Sequence, residues 1–367
     1  MAANTNGDKG GLKPLAVAPG TSGKAYKLES YGGENIYIPG SRSATRMVVT
    51  GKESNNAFAV IGSAGSYGDP IGFHFHREAH DVFLCLQGRV NVWAGKTCRT
   101  MEPGDFASVP PFTAQNTIHQ YQILGDHSEF VGLIVPGGWE EFFRAIGDVY
   151  DGPMWPVKEE GNPLEILLPR IKAAAEKHDM VPCPDYEFFG PQPWNGSETS
   201  LPGAWEPYFL RAGSAPRSLV GGVIVSPLIT TAESNGVFTI GSIEGSSRHT
   251  PNPVLQGLTF ASSHHCFLVT EGFFELQIEG NGNTTLGPYE TVYIPQGTKF
   301  SVNFGSQYSK AYVFANGGGL VELLRRIGSP YSYTMVLPVA ESVNVQKAKA
   351  QESQLSFSFG NRKDSVL

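Results

Sequence analysis

Two halves of this sequence repeat one another in order, about 180 residues apart, which restricts the chain to folds that can be built twice. "ESNNAFAVIG" at 53–62 returns as "ESNGVFTIG" at 233–241, and "PGGWEEFFRAIG" at 136–147 as "NGGGLVELLRRIG" at 316–328. Between them, "VFLCLQGRVNVWAG" at 82–95 matches "CFLVTEGFFELQIEG" at 266–280, and "MEPGDFASVP" at 101–110 matches "LGPYETVYIP" at 286–295. Each copy consists of short runs rich in Val, Ile, Phe and Tyr, broken at regular intervals by Gly, Pro or Asn, the pattern of an antiparallel sandwich or barrel. Each closes on a short amphipathic helix, with Gly147 at the C-terminal cap of the first. Residues 151–205 belong to neither copy. Their first part, "GNPLEILLPRIKAAAEKHDM", predicts a helix beginning near Pro163 and kinked at Pro169. The expected organisation is therefore an N-terminal domain over 1–150, a helix-containing connector over 151–205, a C-terminal domain over 206–345 and a tail over 346–367.

Composition narrows the function. Of 367 residues 40% are hydrophobic and only 17% charged, with 44 Gly and 26 Pro, which suits turn-rich β domains with real cores. A net charge of −7 without a long basic run removes the attraction to phosphate on which nucleic-acid and anionic-membrane binding depend. Neither nucleic acid nor a membrane is an expected partner. No segment approaches the roughly 20 apolar residues of a membrane helix, and the N-terminus lacks a secretory pattern, so a cytoplasmic location is expected. Cys85, Cys98, Cys183 and Cys266 are scattered and read as reduced thiols.

The chemistry concentrates in "GDPIGFHFHREAHDVFLCLQG" at 68–88. His74 and His76, one residue apart on a strand, point to the same face and can reach one ion. A divalent transition ion (Cu, Fe, Ni, Mn, Co or Zn) accepts neutral imidazole, and a carboxylate beside it lowers the net charge while leaving a position open. On an unbroken strand Glu78 and His80 would share that face too, as reserve ligands.

The spacing Gly68, five residues, His74, one, His76, four, Asp81, six, Gly88 resembles the first cupin motif with Asp where Glu is usual, and Gly104, five residues, Pro110 resembles the opening of the second. With "NTIHQYQ" at 116–122 and "EFVGLIVPGGWEEFF" at 129–143, the chain resembles a bicupin of the fungal quercetin 2,3-dioxygenase kind over about residues 30–335. That resemblance implies a mainly β fold of two tandem cupin domains, each an antiparallel jelly-roll β-barrel. It implies His74, His76, His119 and Asp81 as metal ligands, with Asp81 also the catalytic acid–base and Glu78 its reserve. Because a turn separates the two histidines from the acid in cupins, it favours Asp81 over Glu78 and puts His80 near the pocket mouth. Two departures stand: Asp is one methylene shorter than Glu, and His119 falls four residues late, with Gln115 at the strict position. An insertion after Pro110 accommodates the second.

The second copy is an internal control. Aligning Gly272 with Gly88 puts Leu258 opposite His74, Phe260 opposite His76 and His265 opposite Asp81, with Phe300 or Val302 near the place of His119. No ligand set remains there, and His264 and His265, as neighbours on a strand, face opposite ways.

A cupin cavity is apolar, and Phe73, Phe75, Phe83, Phe112 and Tyr121, with Phe106 and Trp93, are candidates to line it against a flat substrate. Three readings follow. The first is a metal-dependent dioxygenase that takes a flavonol-like or other aromatic or enolic small molecule and dioxygen, with ring cleavage. The second is a nonoxidative decarboxylase, isomerase or lyase using the same metal as Lewis acid. The third is a noncatalytic binding or regulatory bicupin. The resemblance also suggests a homodimer.

Overall fold

The computed structural model describes residues 10–68, 72–111, 117–152, 155, 162–175, 177–333 and 342–360. The repeat has a direct counterpart in strand order. In the first copy Ser43–Val49, Ala59–Gly65, His119–Val135, His80–Ala94 and Phe106–Val109 lie side by side. In the second Val223–Ile229, Phe238–Gly245, Ser309–Asn316, His265–Glu271 and Thr291–Ile294 follow the same order. The chain is thus mainly β, two tandem jelly-roll units, with helices Glu141–Ile146 and Gly319–Ile327 closing the copies.

The repeated Glu-Ser-Asn has a physical reason. The buried carboxylates of Glu53 and Glu233 accept the backbone N–H and hydroxyl of Thr50 and Thr230, tying off the turn before the next strand. Ser54 and Ser234 donate to the carbonyls of Phe58 and Phe238. Asn55 and Asn235 take left-handed φ values of 52° and 53°, which Asn tolerates better than bulkier residues. Gly88 and Gly272 also match, with φ of 66° and 65°; a Cβ at either would collide with a backbone carbonyl oxygen, that of His127 or of Tyr308.

The copies exchange arms. Tyr26–Leu28, at the start of the first copy, pairs with Thr291–Ile294 of the second. In return Tyr208–Leu210, opening the second copy, pairs with Phe106–Val109 of the first. The hydroxyls of Tyr26 and Tyr208 lock the exchange by donating to the carbonyls of Val48 and Leu228. Between the units one core cluster joins Val60, Leu84 and Val131 to Ile240, Leu268 and Phe314. Each such side chain contributes roughly 1.5–3 kcal/mol on burial, so the two units form a single packed body.

The connector carries helix Pro163–Ala175 with Pro169 inside it, and then strand Val181–Pro182, which adds to the edge of His74–Phe75. The tail supplies Phe357–Ser358, paired with Leu258–Phe260 of the second unit. The four cysteines form no disulfide, and no helix among the described residues is long and apolar enough to cross a membrane.

Candidate metal centre

The two-residue strand His74–Phe75 runs antiparallel to the start of the long strand His119–Val135, and the register sets His74 directly opposite His119. His76, two residues on, joins them. Ring centroids lie 4.3 Å apart for His74 and His119, 5.0 Å for His76 and His119 and 5.1 Å for His74 and His76. All three side chains are buried, and a nitrogen of each lies within 4.8 Å of the others.

Backbone carbonyls orient the rings. His74 Nδ1 meets Gly72 O at 2.8 Å, His119 Nδ1 meets Thr117 O at 3.0 Å, and His76 Nδ1 meets Asp179 O. Since a carbonyl only accepts, each Nδ1 carries the proton and each Nε2 keeps a free lone pair directed into the cluster. Asp81 completes the set, its Oδ2 3.3 Å from His76 Nε2 and 3.4 Å from His119 Nε2. These approaches are of ion-pair length but lack hydrogen-bond geometry. The Nε2 atoms of His76 and His119 and Oδ1 of Asp81 are buried without a hydrogen-bond partner. Such orphans are expensive unless something satisfies them, and a cation meets every demand at once.

The electrostatics agree. Burial pushes His74 well down, and its imidazole neighbours His119 and His76 push it the same way, so it stands as a neutral donor. Burial also opposes charge on His76, but Asp81 and Asp179 together raise it on balance. Burial would raise Asp81, but His76 and His119 prevail and hold its carboxyl well below the usual range. Three buried imidazoles beside a buried carboxylate, with orphaned atoms turned toward one another, form a donor set that fits a divalent ion.

The reserve candidates lie elsewhere. Glu78 is exposed on the turn. His80 points to the opposite side of its strand, 2.8 Å from the Ser108 hydroxyl and edge-on to Phe238 of the second unit. Asp81 and Phe83, alternating with it, face the cluster, where a cavity of about 30 Å³ is walled by Phe83, Tyr121, Phe130, Ile134, Trp139 and Phe143. Phe73 and Phe75, which alternate with the histidines, do not line this cavity. Phe73 packs on Trp93 and Tyr186, and Phe75 pairs with Val181 of the connector. Trp93 donates to Phe189 O, and Phe106 belongs to the core between the units. Phe112 and Gln115 lie outside the described residues. Asp179, Trp139 and Phe143 were not singled out in the sequence. Phe130 and Ile134 are out of phase with His119 and Tyr121 by strict two-residue alternation; the register shifts between Leu124 and Phe130 bring them to the same face, and no sequence pattern announces those shifts.

The second unit shows the same geometry with the ligands gone. Leu258 pairs with Phe300 as His74 does with His119, which decides between Phe300 and Val302. Phe260, Phe300 and His265 crowd together with centroids 4.6 to 6.2 Å apart, in a core filled by apolar side chains. His265 Nε2 accepts the Leu320 N–H, whereas His264 turns to the Tyr293 hydroxyl. Burial pushes His265 down to about 3, and it does the same to His80 in spite of the adjacent Asp81. A histidine with a folded value below its unfolded one of about 6.5 contributes stability that is complete above about 6.5 and drains away as pH falls toward 3. The thermal midpoint is therefore expected to drop between pH 6.5 and 4, by the equivalent of a few kcal/mol for the two groups together. His265→Gln, which keeps an acceptor for Leu320, should flatten that slope; an unchanged slope in pH-dependent melting would refute the assignment.

Comparison with known proteins agrees with this geometry. Quercetin 2,3-dioxygenase of Aspergillus japonicus is 27% identical over 313 residues, covering 78% of this chain and 88% of that protein. Quercetin 2,3-dioxygenase of Bacillus subtilis (strain 168) is 34% identical over 148 residues; the match takes in 40% of this chain and spans only 42% of the Bacillus protein. The crystal structure of the protein Ylba from E. coli superposes with a TM-score of 0.52 at 10% identity, over 82% of this chain and 92% of that one, a likeness of fold. No family model matches the chain. The doubled jelly roll, a histidine cluster that among the described residues lies in the first half, and a likeness that runs through both halves make this chain similar to the bicupin quercetin 2,3-dioxygenase of Aspergillus japonicus.

Proposed function

We propose that the chain is a metal-dependent dioxygenase for a flavonol-like or other aromatic or enolic small molecule, with His74, His76, His119 and Asp81 holding one divalent transition ion. The observation that carries this reading is the inward convergence of three tautomer-fixed Nε2 lone pairs beside a carboxylate, inside an aromatic box. When bound, the ion would supply Lewis acidity toward a substrate oxygen and a position for a small ligand. Asp81 supplies the base, since its Oδ1 makes no hydrogen bond and can take the proton of a substrate hydroxyl. Phe83, Tyr121 and Phe130 keep water from the electron-rich anion that results.

One observation favours a second reading. A cavity of about 30 Å³ is far below the roughly 300–1,000 Å³ of a small-molecule pocket, so a flavonol enters only if the aromatic walls swing aside. A small acid handled nonoxidatively asks for less movement. Oxygen uptake decides. Metal-replete protein should consume dioxygen in step with loss of a flavonol or a smaller enol from a test panel, and should stall under anaerobic conditions. Equal turnover without oxygen would replace the dioxygenase by a decarboxylase, isomerase or lyase.

A further inference from the structure

The turn between the two histidines and the acid is held from a distance. The Asp179 carboxylate accepts three consecutive backbone N–H groups: Arg77 on Oδ1 at 2.8 Å, and Glu78 and Ala79 on Oδ2 at 2.6 and 3.0 Å. Its own backbone carbonyl accepts His76 Nδ1–H and, at 3.1 Å, the Trp139 indole N–H. One residue of the connector therefore touches both sides of the turn, orienting the ring of His76 and gathering the loop that ends two residues before Asp81. Next to it, Val181–Pro182 pairs with Phe75 and His74, and the Cys183 N–H donates to Phe73 O at 2.8 Å, so the connector also backs the ligand strand along its length.

We infer that Asp179 is a positioning residue for the metal centre: by clamping residues 77–79 it draws the turn in far enough for an aspartate, one methylene shorter than glutamate, to reach the histidine cluster. Acceptors that fix ligating histidines commonly tune metal affinity without touching the ion, and a carboxylate holding three N–H groups makes strong, charge-assisted bonds. Removing the carboxylate frees the turn, and His76 and Asp81 lose their shared frame together. The inference rests on the reading that His74, His76, His119 and Asp81 hold a metal.

The test is metal affinity of the full chain, with Ni²⁺ or Zn²⁺ competed against a chelator and Co²⁺ used as a visible-absorption reporter of the ligand field. Asp179→Ala should bind about 10- to 100-fold more weakly and alter the Co²⁺ spectrum, the range seen when an outer partner of a ligand is lost. Asp179→Asn keeps one carbonyl oxygen for the turn and should fall between Asp179→Ala and the parent. Should Asp179→Ala fail to fold, Asp179→Asn alone decides, and affinity within twofold of the parent overturns the inference. A folded Asp179→Ala that melts earlier but keeps both affinity and spectrum likewise overturns it, by showing a merely structural clamp. His76→Ala separates the two levels. If His76→Ala loses the metal while Asp179→Ala does not, only the positioning role falls; if His76→Ala binds as the parent does, the metal site lies elsewhere and the role of Asp179 falls with it.

Discussion

His76→Ala is expected to empty the metal centre, taking metal content from about one equivalent per chain to background and turnover down by at least about 100-fold, since losing a ligand costs more than losing one of its outer partners. His76 is the most constrained member of the cluster. Its Nδ1 is engaged by Asp179 O, its Nε2 lies 3.3 Å from Asp81, and its ring sits edge-on against Trp139 with centroids 4.8 Å apart. Deleting it takes away one of three lone pairs and leaves the buried Asp81 carboxylate without its nearest side-chain partner. Breaking a buried pair in this way costs about 3–5 kcal/mol, so the metal-free variant should also melt earlier than the parent. His80→Ala is the matched control. It removes a buried imidazole four residues away that faces Ser108 and Phe238, so it should weaken the contact between the units while leaving metal content intact. Elemental analysis of the two purified variants checks both statements, and full metal occupancy in His76→Ala would remove the basis of the site.

Why was so much of this centre legible in the sequence? The answer lies in period. A two-residue alternation predicts that His74 and His76 share a face, and they do. The same alternation, followed through, also puts Phe73 and Phe75 on the other face, and reading the neighbouring aromatics as cavity lining ignored it. Glu78 and His80 would have joined the cluster only on an unbroken strand. The strand in fact stops at Phe75 and resumes at His80, so the turn resets the phase and brings Asp81 inward instead. The cause of that turn was invisible, because Asp179 lies about 100 residues away in a segment with no motif and acts through its backbone as much as its side chain. The arm exchange was hidden for a similar reason. Hydrophobic patterning says that Tyr26–Leu28 and Tyr208–Leu210 are strands with a face to bury, but either sheet edge would satisfy that demand, and only pairing assigns each arm to the opposite unit.

Asp81→Asn is the second large effect, and it bears on the chemistry more than on the assembly. Asparagine keeps the shape of the side chain and one carbonyl oxygen toward the cluster but loses the charge and the capacity to take a proton, so turnover should fall by about 10²- to 10⁴-fold, the range for a lost general base. Metal should still bind, more weakly, through the three imidazoles. The loss should be flat with pH across the neutral range. Burial favours the neutral acid, yet His76 and His119 keep the Asp81 carboxyl well below its ordinary range, so the parent carries the ionised base at every pH above that range. The sign for stability follows from the same direction: a depressed carboxyl contributes stability above its unfolded value of about 3.9, and that contribution is lost only as pH falls below it. Asp81→Asn therefore loses this contribution at neutral pH, and its melting temperature should approach that of the parent under acid conditions. Glu78→Ala sets the contrast, because Glu78 offers the clamp only its backbone N–H and its side chain is exposed, so turnover should stay within about twofold of the parent. The reverse outcome, with Asp81→Asn active and Glu78→Ala inactive, would mean that the turn rearranges when metal and substrate bind and that the acid reaching the substrate is the one this structure holds in solvent.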